Sequence, residues 1–177
     1  NLINIKNLIK TNLSDLNFLD RSPKIIAVSK TFNLDHILPL IEYGHEHFGE
    51  NKVQEALNKW SDIRENKSNI KLHLIGKLQT NKVKFCFPLF DYIHGLDSIK
   101  LAEKIANEQV KKNFRPKIFI QINIGDEDQK SGVNQESILK FYSDIKKDYD
   151  LDVIGLMCIP PFVEDTTPFF KKMESYA

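Results

Sequence analysis

A primary amine stands at the end of the first strongly apolar segment of this 177-residue sequence. Lys30 follows the run IIAVS at residues 25–29 and precedes polar residues that are typical of a helix start. In α/β proteins, reactive groups collect where buried strands end. A lysine held against apolar walls loses stability as an ammonium, so its pKa falls and its amine can attack a carbonyl carbon. The alternative is a lysine that leaves the core for solvent, the usual position of this residue type.

Apolar runs of strand length alternate with amphipathic runs of helix length along nearly the whole chain, which is typical of repeated β-α units around a parallel sheet. The six predicted strands are residues 24–30, 46–49, 72–76, 92–96, 118–124 and 153–159. The predicted helices are residues 2–19, 35–43, 52–65, 80–85, 98–113, 135–147 and 167–177. The pattern indicates one domain over residues 1–177.

Two folds are built from such repeats, an open doubly wound sheet and a closed eight-stranded barrel. No G-x-G-x-x-G follows the first predicted strand, where residues 29–32 read SKTF, and there is no P-loop. We therefore predict a TIM-type (β/α)8 barrel with a leading N-terminal helix, truncated here to about six β-α units. Because this barrel needs roughly 200 residues or more, we expect the domain to be incomplete at its C-terminus.

Polar side chains recur where the predicted strands end, and in a barrel these ends meet at one mouth. They are Lys30 and Thr31, Glu50 and Asn51, Lys77, Gln79, Asn81 and Lys82, His94 and Asp97, Asn123, and the Met157-Cys158 pair. His73 lies inside the third strand, and alternation allows it to face either the barrel interior or the helices. His45 and His47 have no third ligand in evidence, so we expect no metal site.

Charge and cysteine content limit the partners. The sequence has 25 Lys and Arg against 24 Asp and Glu, so it has no bulk field that would gather nucleic acid. No apolar run approaches the roughly 18 residues of a membrane span, and we expect no membrane binding. Cys86 and Cys158 are far apart and outside any C-x-x-C motif, which favours a reduced, cytoplasmic setting.

Four segments together resemble the pyridoxal phosphate homeostasis protein family. They are AVSK at residues 27–30, HFGEN and VQE within 47–55, HLIGKLQTNK at 73–82 and GLMCIP at 155–160, and KSG at 130–132 is similar to the family's K-x-G turn. The resemblance implies a fold similar to the N-terminal barrel of alanine racemase, with pyridoxal 5'-phosphate (PLP) held as a Schiff base on Lys30. The further cofactor-binding candidates are Asn51, His73, Gln79, Asn81 and Met157.

The resemblance also implies that the protein buffers or delivers PLP in intracellular vitamin B6 homeostasis, without robust catalytic turnover. PLP-requiring apoenzymes are then candidate recipients, and the intact protein is expected to be a monomer. An alanine-racemase-like enzyme uses a second, all-β domain that supplies a tyrosine, whereas Lys30 is the one base candidate here. Two enzyme alternatives stay open: a PLP-dependent amino-acid racemase, and an aldolase that forms a Schiff base between Lys30 and its own substrate.

The chain departs from the family pattern at two places. Cys158 stands where the family usually has threonine, a near-isosteric exchange. The family's later motifs, G-M-S-x-D and R-I-G-x-x-I-F-G, are not found, and the resemblance assigns phosphate binding to the first and a contact with the pyridine nitrogen to the second. We therefore expect this chain to be part of a longer protein and, by itself, to hold the cofactor weakly.

Overall fold

The computed structural model describes residues 2–18, 20–67, 69–127 and 129–176. Its elements are α1 (Leu2–Asp15), β1 (Ala27–Val28), α2 (Leu34–Glu42), β2 (His47–Glu50), α3 (Val53–Asn66), β3 (Lys71–Leu74), a 3-10 helix (Thr80–Phe85), β4 (Tyr92–Leu96), α4 (Ile99–Lys112), β5 (Lys117–Ile122), a 3-10 turn (Gln135–Ser137), α5 (Ile138–Asp148), β6 (Asp152–Cys158) and α6 (Thr167–Ser175). Each predicted strand and helix is present, although its ends shift by a few residues. Leu19 and Ala177, the predicted last residues of two helices, lie outside the described residues.

The six strands form one parallel sheet in chain order, β1-β2-β3-β4-β5-β6. A barrel keeps this sequential order, whereas a doubly wound sheet reverses it at a switch point. The predicted fold class is therefore confirmed for six β-α units. Among the described residues β1 pairs only with β2 and β6 only with β5, so the two outer strands are not joined.

The main core lies between the sheet and the helices that cover one of its faces. Alternate strand residues such as Phe48 and Leu72 turn toward these helices and are fully buried. Helices α2 to α5 each supply buried apolar residues, which in α4 include Leu101 and Ile105. Trp60 of α3 packs on Phe48 with the ring centroids 5.0 Å apart. This packing fixes which strand residues face the helices.

The other strand residues form a second face of the sheet, here called the inner face. Val28 pairs with Gly49, Gly49 with His73, and His73 with Tyr92. Paired residues of neighbouring parallel strands point to the same side, so these four define the inner face. By alternation, residues 30 and 51 lie on the same face, just beyond the carboxyl ends of β1 and β2.

The leading helix forms as predicted, but its apolar stripe is only partly covered. No residue of α1 is buried, and Leu8 is 63% exposed. Local periodicity was sufficient to predict the helix, because it depends on residues within a few turns. No helix in the described ranges combines the length and apolar character of a membrane span.

Candidate functional site

Lys30 lies in a tight turn that follows β1. The Phe32 N–H donates to the Ser29 carbonyl oxygen at 3.2 Å and closes the turn. Thr31 has a φ of 67°, a left-handed conformation that is uncommon for a β-branched residue. Lys30 is exposed rather than held against apolar walls, and within the described part of the chain its amine makes no hydrogen bond or ion pair. The amine is therefore available to a ligand.

Glu50 faces the helices, which corrects the prediction that it joins the polar groups at the mouth. Its side chain is fully buried, and Oε1 accepts hydrogen bonds from Ser29 Oγ (2.7 Å), Lys59 Nζ (3.0 Å) and Trp60 Nε1 (2.9 Å). The sequence contained a partial signal of this cluster in Trp60, the single tryptophan of the chain. A buried indole N–H usually donates a hydrogen bond, so an acceptor was expected close to Trp60.

Asn51, one residue further on, lies at the mouth beside the end of β3. Its Oδ1 is buried and has no hydrogen-bond partner in the part of the chain that the structure describes. The backbone of Gly76 approaches it closely, since a Cβ at position 76 would lie 2.4 Å from the Asn51 carbonyl oxygen. A buried amide oxygen without a donor costs free energy. A ligand that donates a hydrogen bond here would remove that cost.

A cleft of about 290 Å³ opens at the carboxyl ends of β3, β5 and β6. Gly76, Lys77, Gln121 and Lys130 are among the residues that line it. Lys130 Nζ lies 2.6 Å from Glu127 Oε1, so its charge is partly compensated. The two amines and the Gln121 amide suit an anionic ligand group. A larger cleft, about 500 Å³, lies against α1 near the amino ends of the first strands, away from this mouth.

The remaining mouth candidates differ in their placement. Met157 pairs with Gln121 across β5 and β6, and it is partly exposed. Gln79 and Asn81 are exposed at the start of the 3-10 helix that follows β3. Neither of their side chains makes a hydrogen bond within the described ranges. The structure thus groups Lys30 and Asn51 at the strand ends and leaves Gln79 and Asn81 in the loop beyond them.

His73 faces the inner side of the sheet, in a row of three histidines. His47 Nδ1 lies 2.9 Å from His73 Nε2, and His73 Nδ1 lies 2.9 Å from His94 Nε2. The His73 ring stacks on Tyr92 and the His94 ring on Phe119. Burial lowers the pKa of His73 to about 3 and that of His94 to about 4. The row is therefore neutral at pH 7, and both ring nitrogens of His73 are already engaged.

Neither histidines nor cysteines form a metal centre in the described residues, where no cluster of three or more His, Cys, Asp or Glu has suitable geometry. Cys86 and Cys158 are free thiols. Burial raises the pKa of Cys86 to about 12 and also raises that of Cys158. A thiol in this state is a poor nucleophile. The candidate nucleophile at the end of β1 is therefore the amine of Lys30, not a thiol.

Comparison with known proteins identifies the family. The family described as alanine racemase, N-terminal domain, matches residues 6–176. A pyridoxal phosphate homeostasis protein of Haemophilus influenzae is 36% identical over 181 residues, which cover 99% of this chain and 76% of that protein. One of Aquifex aeolicus is 35% identical over 153 residues, 85% of this chain and 66% of that protein. The chain thus spans between 66% and 76% of the length of these two relatives.

A solved structure agrees with this result. PipY of Synechococcus elongatus PCC7942, determined with PLP bound, superposes with a TM-score of 0.80 at 28% identity, over 96% of this chain and 80% of PipY. The chain belongs to the alanine racemase N-terminal domain family and, within it, to the pyridoxal phosphate homeostasis protein family. The family resemblance drawn from the four sequence segments is therefore confirmed.

Proposed function

We propose that the protein binds PLP through Lys30 and holds it for buffering or delivery. Two observations carry the proposal: just beyond the carboxyl ends of the neighbouring strands β1 and β2 lie an exposed Lys30 amine, without a hydrogen bond among the described residues, and the unpartnered buried amide oxygen of Asn51. PLP supplies an aldehyde, which condenses with a neutral amine with loss of one water. Family membership and the PLP bound to PipY support the same assignment.

The residues at the mouth suit different parts of such a ligand. Lys30 Nζ would make the covalent attachment, and Asn51 Oδ1 would accept a hydrogen bond from a ligand hydroxyl. Lys77 and Lys130, on the border of the 290 Å³ cleft, would attract the phosphate. Met157 would give an apolar contact. His73, Gln79 and Asn81 remain predicted contacts of the ligand.

A holding role fits the surroundings of Lys30 better than turnover. Proton transfer in catalysis needs an acid or base within hydrogen-bond reach of the reacting atoms. Near the turn, Glu50 is buried against Trp60 and Glu55 is bonded to the Thr31 N–H. Both carboxylates thus accept hydrogen bonds that stabilise the turn. We place the role in the reducing cytoplasm, in accord with two free thiols, with PLP-requiring apoenzymes as recipients.

Reductive trapping tests the attachment. The chain is incubated with PLP, reduced with borohydride, digested and mapped by mass spectrometry. We expect a pyridoxyl group on Lys30, and its absence in Lys30→Met. Lys52→Met, which removes another exposed lysine from the amino end of α3, is the matched control and should keep the label on Lys30. A label concentrated on another lysine, or equal labelling of Lys30→Met and wild type, would contradict the proposal.

A further inference from the structure

Side chains of α3 hold the turn that carries Lys30 on both sides of that residue. We propose that Glu55 is a positioning residue for Lys30. Glu55 acts through the backbone of Thr31, together with Lys59, and sets the direction in which the Lys30 side chain extends from the turn. This inference rests on the proposed role of Lys30 and adds the residues that orient its amine for attachment of PLP.

On the C-terminal side of Lys30 the restraint is one hydrogen bond. The Thr31 N–H donates to Glu55 Oε1 at 3.0 Å. The left-handed φ of 67° costs conformational energy in a β-branched residue and persists only where other contacts hold it. The same hydrogen bond is the main reason that the pKa of Glu55 is lowered, so the carboxylate remains an ionised acceptor at neutral pH. Glu55 therefore stabilises the strained residue directly after Lys30.

On the N-terminal side, Ser29 is held at three of its atoms. Its N–H donates to the Gly49 carbonyl oxygen at 2.9 Å, and its Oγ donates to Glu50 Oε1 at 2.7 Å. Its own carbonyl oxygen accepts a hydrogen bond from Lys59 Nζ at 2.9 Å. The side chain of Glu50 is fully buried and that of Lys59 is 9% exposed, so solvent competes little for these bonds. Ser29 is thus fixed to both β2 and α3.

Lys59 connects the two restraints. Its Nζ lies 3.0 Å from Glu50 Oε1 and 3.6 Å from Glu55 Oε1, one helical turn away. The residues on either side of Lys30 are therefore tied to one charged row on α3, whereas Lys30 itself makes no such bond in the described structure. A fixed backbone with a free amine is the arrangement expected of a prepositioned nucleophile.

Direction matters because attack on a carbonyl requires the reacting atoms to approach to about 3–3.5 Å in alignment. Alternation continued from Val28 places residue 30 on the side of the inner face, next to Asn51, which follows β2. If Thr31 relaxed to a negative φ, the peptide that joins it to Lys30 would rotate. The amine would then spend less time directed at the mouth. Loss of the Glu55 carboxylate should therefore slow attachment more than it weakens ligand capture.

The test compares the 177-residue wild type with Glu55→Ala, Glu55→Gln and Glu65→Ala. Glu65 is exposed on the same helix, so its replacement removes the same charge without touching the turn. Two quantities are measured: the rate constant for the borohydride-trapped label on Lys30 at saturating PLP, and hydrogen exchange of the Thr31 amide. The PLP concentration that gives half-maximal rate is also recorded.

We expect Glu55→Ala to slow attachment about tenfold and to speed exchange of the Thr31 amide about tenfold. The half-saturating PLP concentration should change by less than about twofold, because capture does not depend on the turn. Glu55→Gln keeps an acceptor oxygen and should stay within about twofold of wild type. Glu65→Ala should match wild type in every measurement.

The results distinguish a failure of the positioning role from a failure of the proposed function. Equal attachment rates in wild type and Glu55→Ala would overturn the positioning role and leave the proposed function intact. No label on Lys30 of the wild type would overturn the proposed function and the positioning role with it. If circular dichroism shows Glu55→Ala to be unfolded, Glu55→Asp replaces it. That variant keeps the charge but shortens the side chain by one methylene, so a wild-type attachment rate in it would overturn the positioning role.

Discussion

Three histidines cross the inner face of the sheet, and burial is the first cause of the lowered pKa of each one. His47, His73 and His94 are joined by two contacts of 2.9 Å between ring nitrogens. The positive charge of Lys24 further lowers the pKa of His47 and His73. A proton added to this row would place a cation among aromatic rings and other imidazoles. Protonation of the row is therefore less favourable in the folded chain than in the unfolded chain.

We expect the free energy of unfolding to fall as the pH drops from 7 toward 5. His73 has a folded pKa of about 3 and His94 of about 4, below the unfolded value of about 6.5. Below pH 6.5 the unfolded chain takes up protons that the folded chain does not, so stability present above that pH is progressively lost. The two histidines together should cost about 1–2 kcal/mol between pH 6.5 and 5.5, after allowance for partial solvent access.

Urea unfolding at several pH values in this range measures the effect. His73→Gln removes one of the two titrating groups, so its unfolding free energy should depend less steeply on pH. His36→Ala replaces an exposed histidine and should keep the wild-type dependence. Unfolding free energies that do not change between pH 7 and 5 would show that the row does not control acid stability.

At the scale of elements, β2 and β3 meet closely at their carboxyl ends because residue 76 has no side chain. A Cβ there would lie 2.4 Å from the Asn51 carbonyl oxygen and 2.8 Å from the Asn51 Cα. Real Cβ atoms do not approach backbone this closely, so an added methyl group must push the two strand ends apart. The position of Asn51 at the mouth therefore depends on a glycine in the next β-α unit.

Gly76→Ala should destabilise the fold by about 1–3 kcal/mol and weaken PLP binding, because Asn51 would move. Gly155→Ala is the matched control, since its Cβ would meet no backbone atom and only the half-buried Phe119 ring, at 3.3 Å and 3.4 Å. Urea unfolding and PLP titration measure the two effects. Equal losses of stability and affinity in both variants would contradict the close approach.

At the scale of the whole molecule, the sheet has two outer strands that do not pair with each other in the described residues. The β6 strand (Asp152–Cys158) is the longer of the two, and it carries exposed apolar side chains, with Ile154 43% exposed. Ile159, which follows the strand, is 56% exposed. An unpaired strand edge with apolar neighbours is a template for pairing with another chain.

We expect the 177-residue chain to self-associate as its concentration rises, and Ile154→Lys to reduce that association, because a charge beside an exposed edge opposes pairing. Sedimentation velocity over a range of concentrations measures it. Leu139→Lys makes the same chemical change on α5, where Leu139 is 81% exposed, and should behave as wild type. A wild type that stays monomeric throughout, or equal effects of the two variants, would count against the β6 edge.

The sequence alone determined the order and type of the elements, because apolar periodicity is a local property of each segment. It also placed Lys30 and Asn51 at strand ends and identified the family from four short segments. In contrast, the direction of Glu50 could not be read locally. Neighbouring strand residues point to opposite faces, so an uncertainty of one residue in a strand boundary reverses the assignment.

Only the tertiary structure decided which distant residues meet. The contacts in the histidine row join positions 26 and 21 residues apart, and strand register alone brings them within hydrogen-bond distance. The network around the Lys30 turn likewise needs α3 to pack against β1 and β2, which places Glu55 under the Thr31 N–H. Register and packing depend on the whole core at once. In contrast, the six residues that end at Lys30 were sufficient to predict that the amine lies at a strand end.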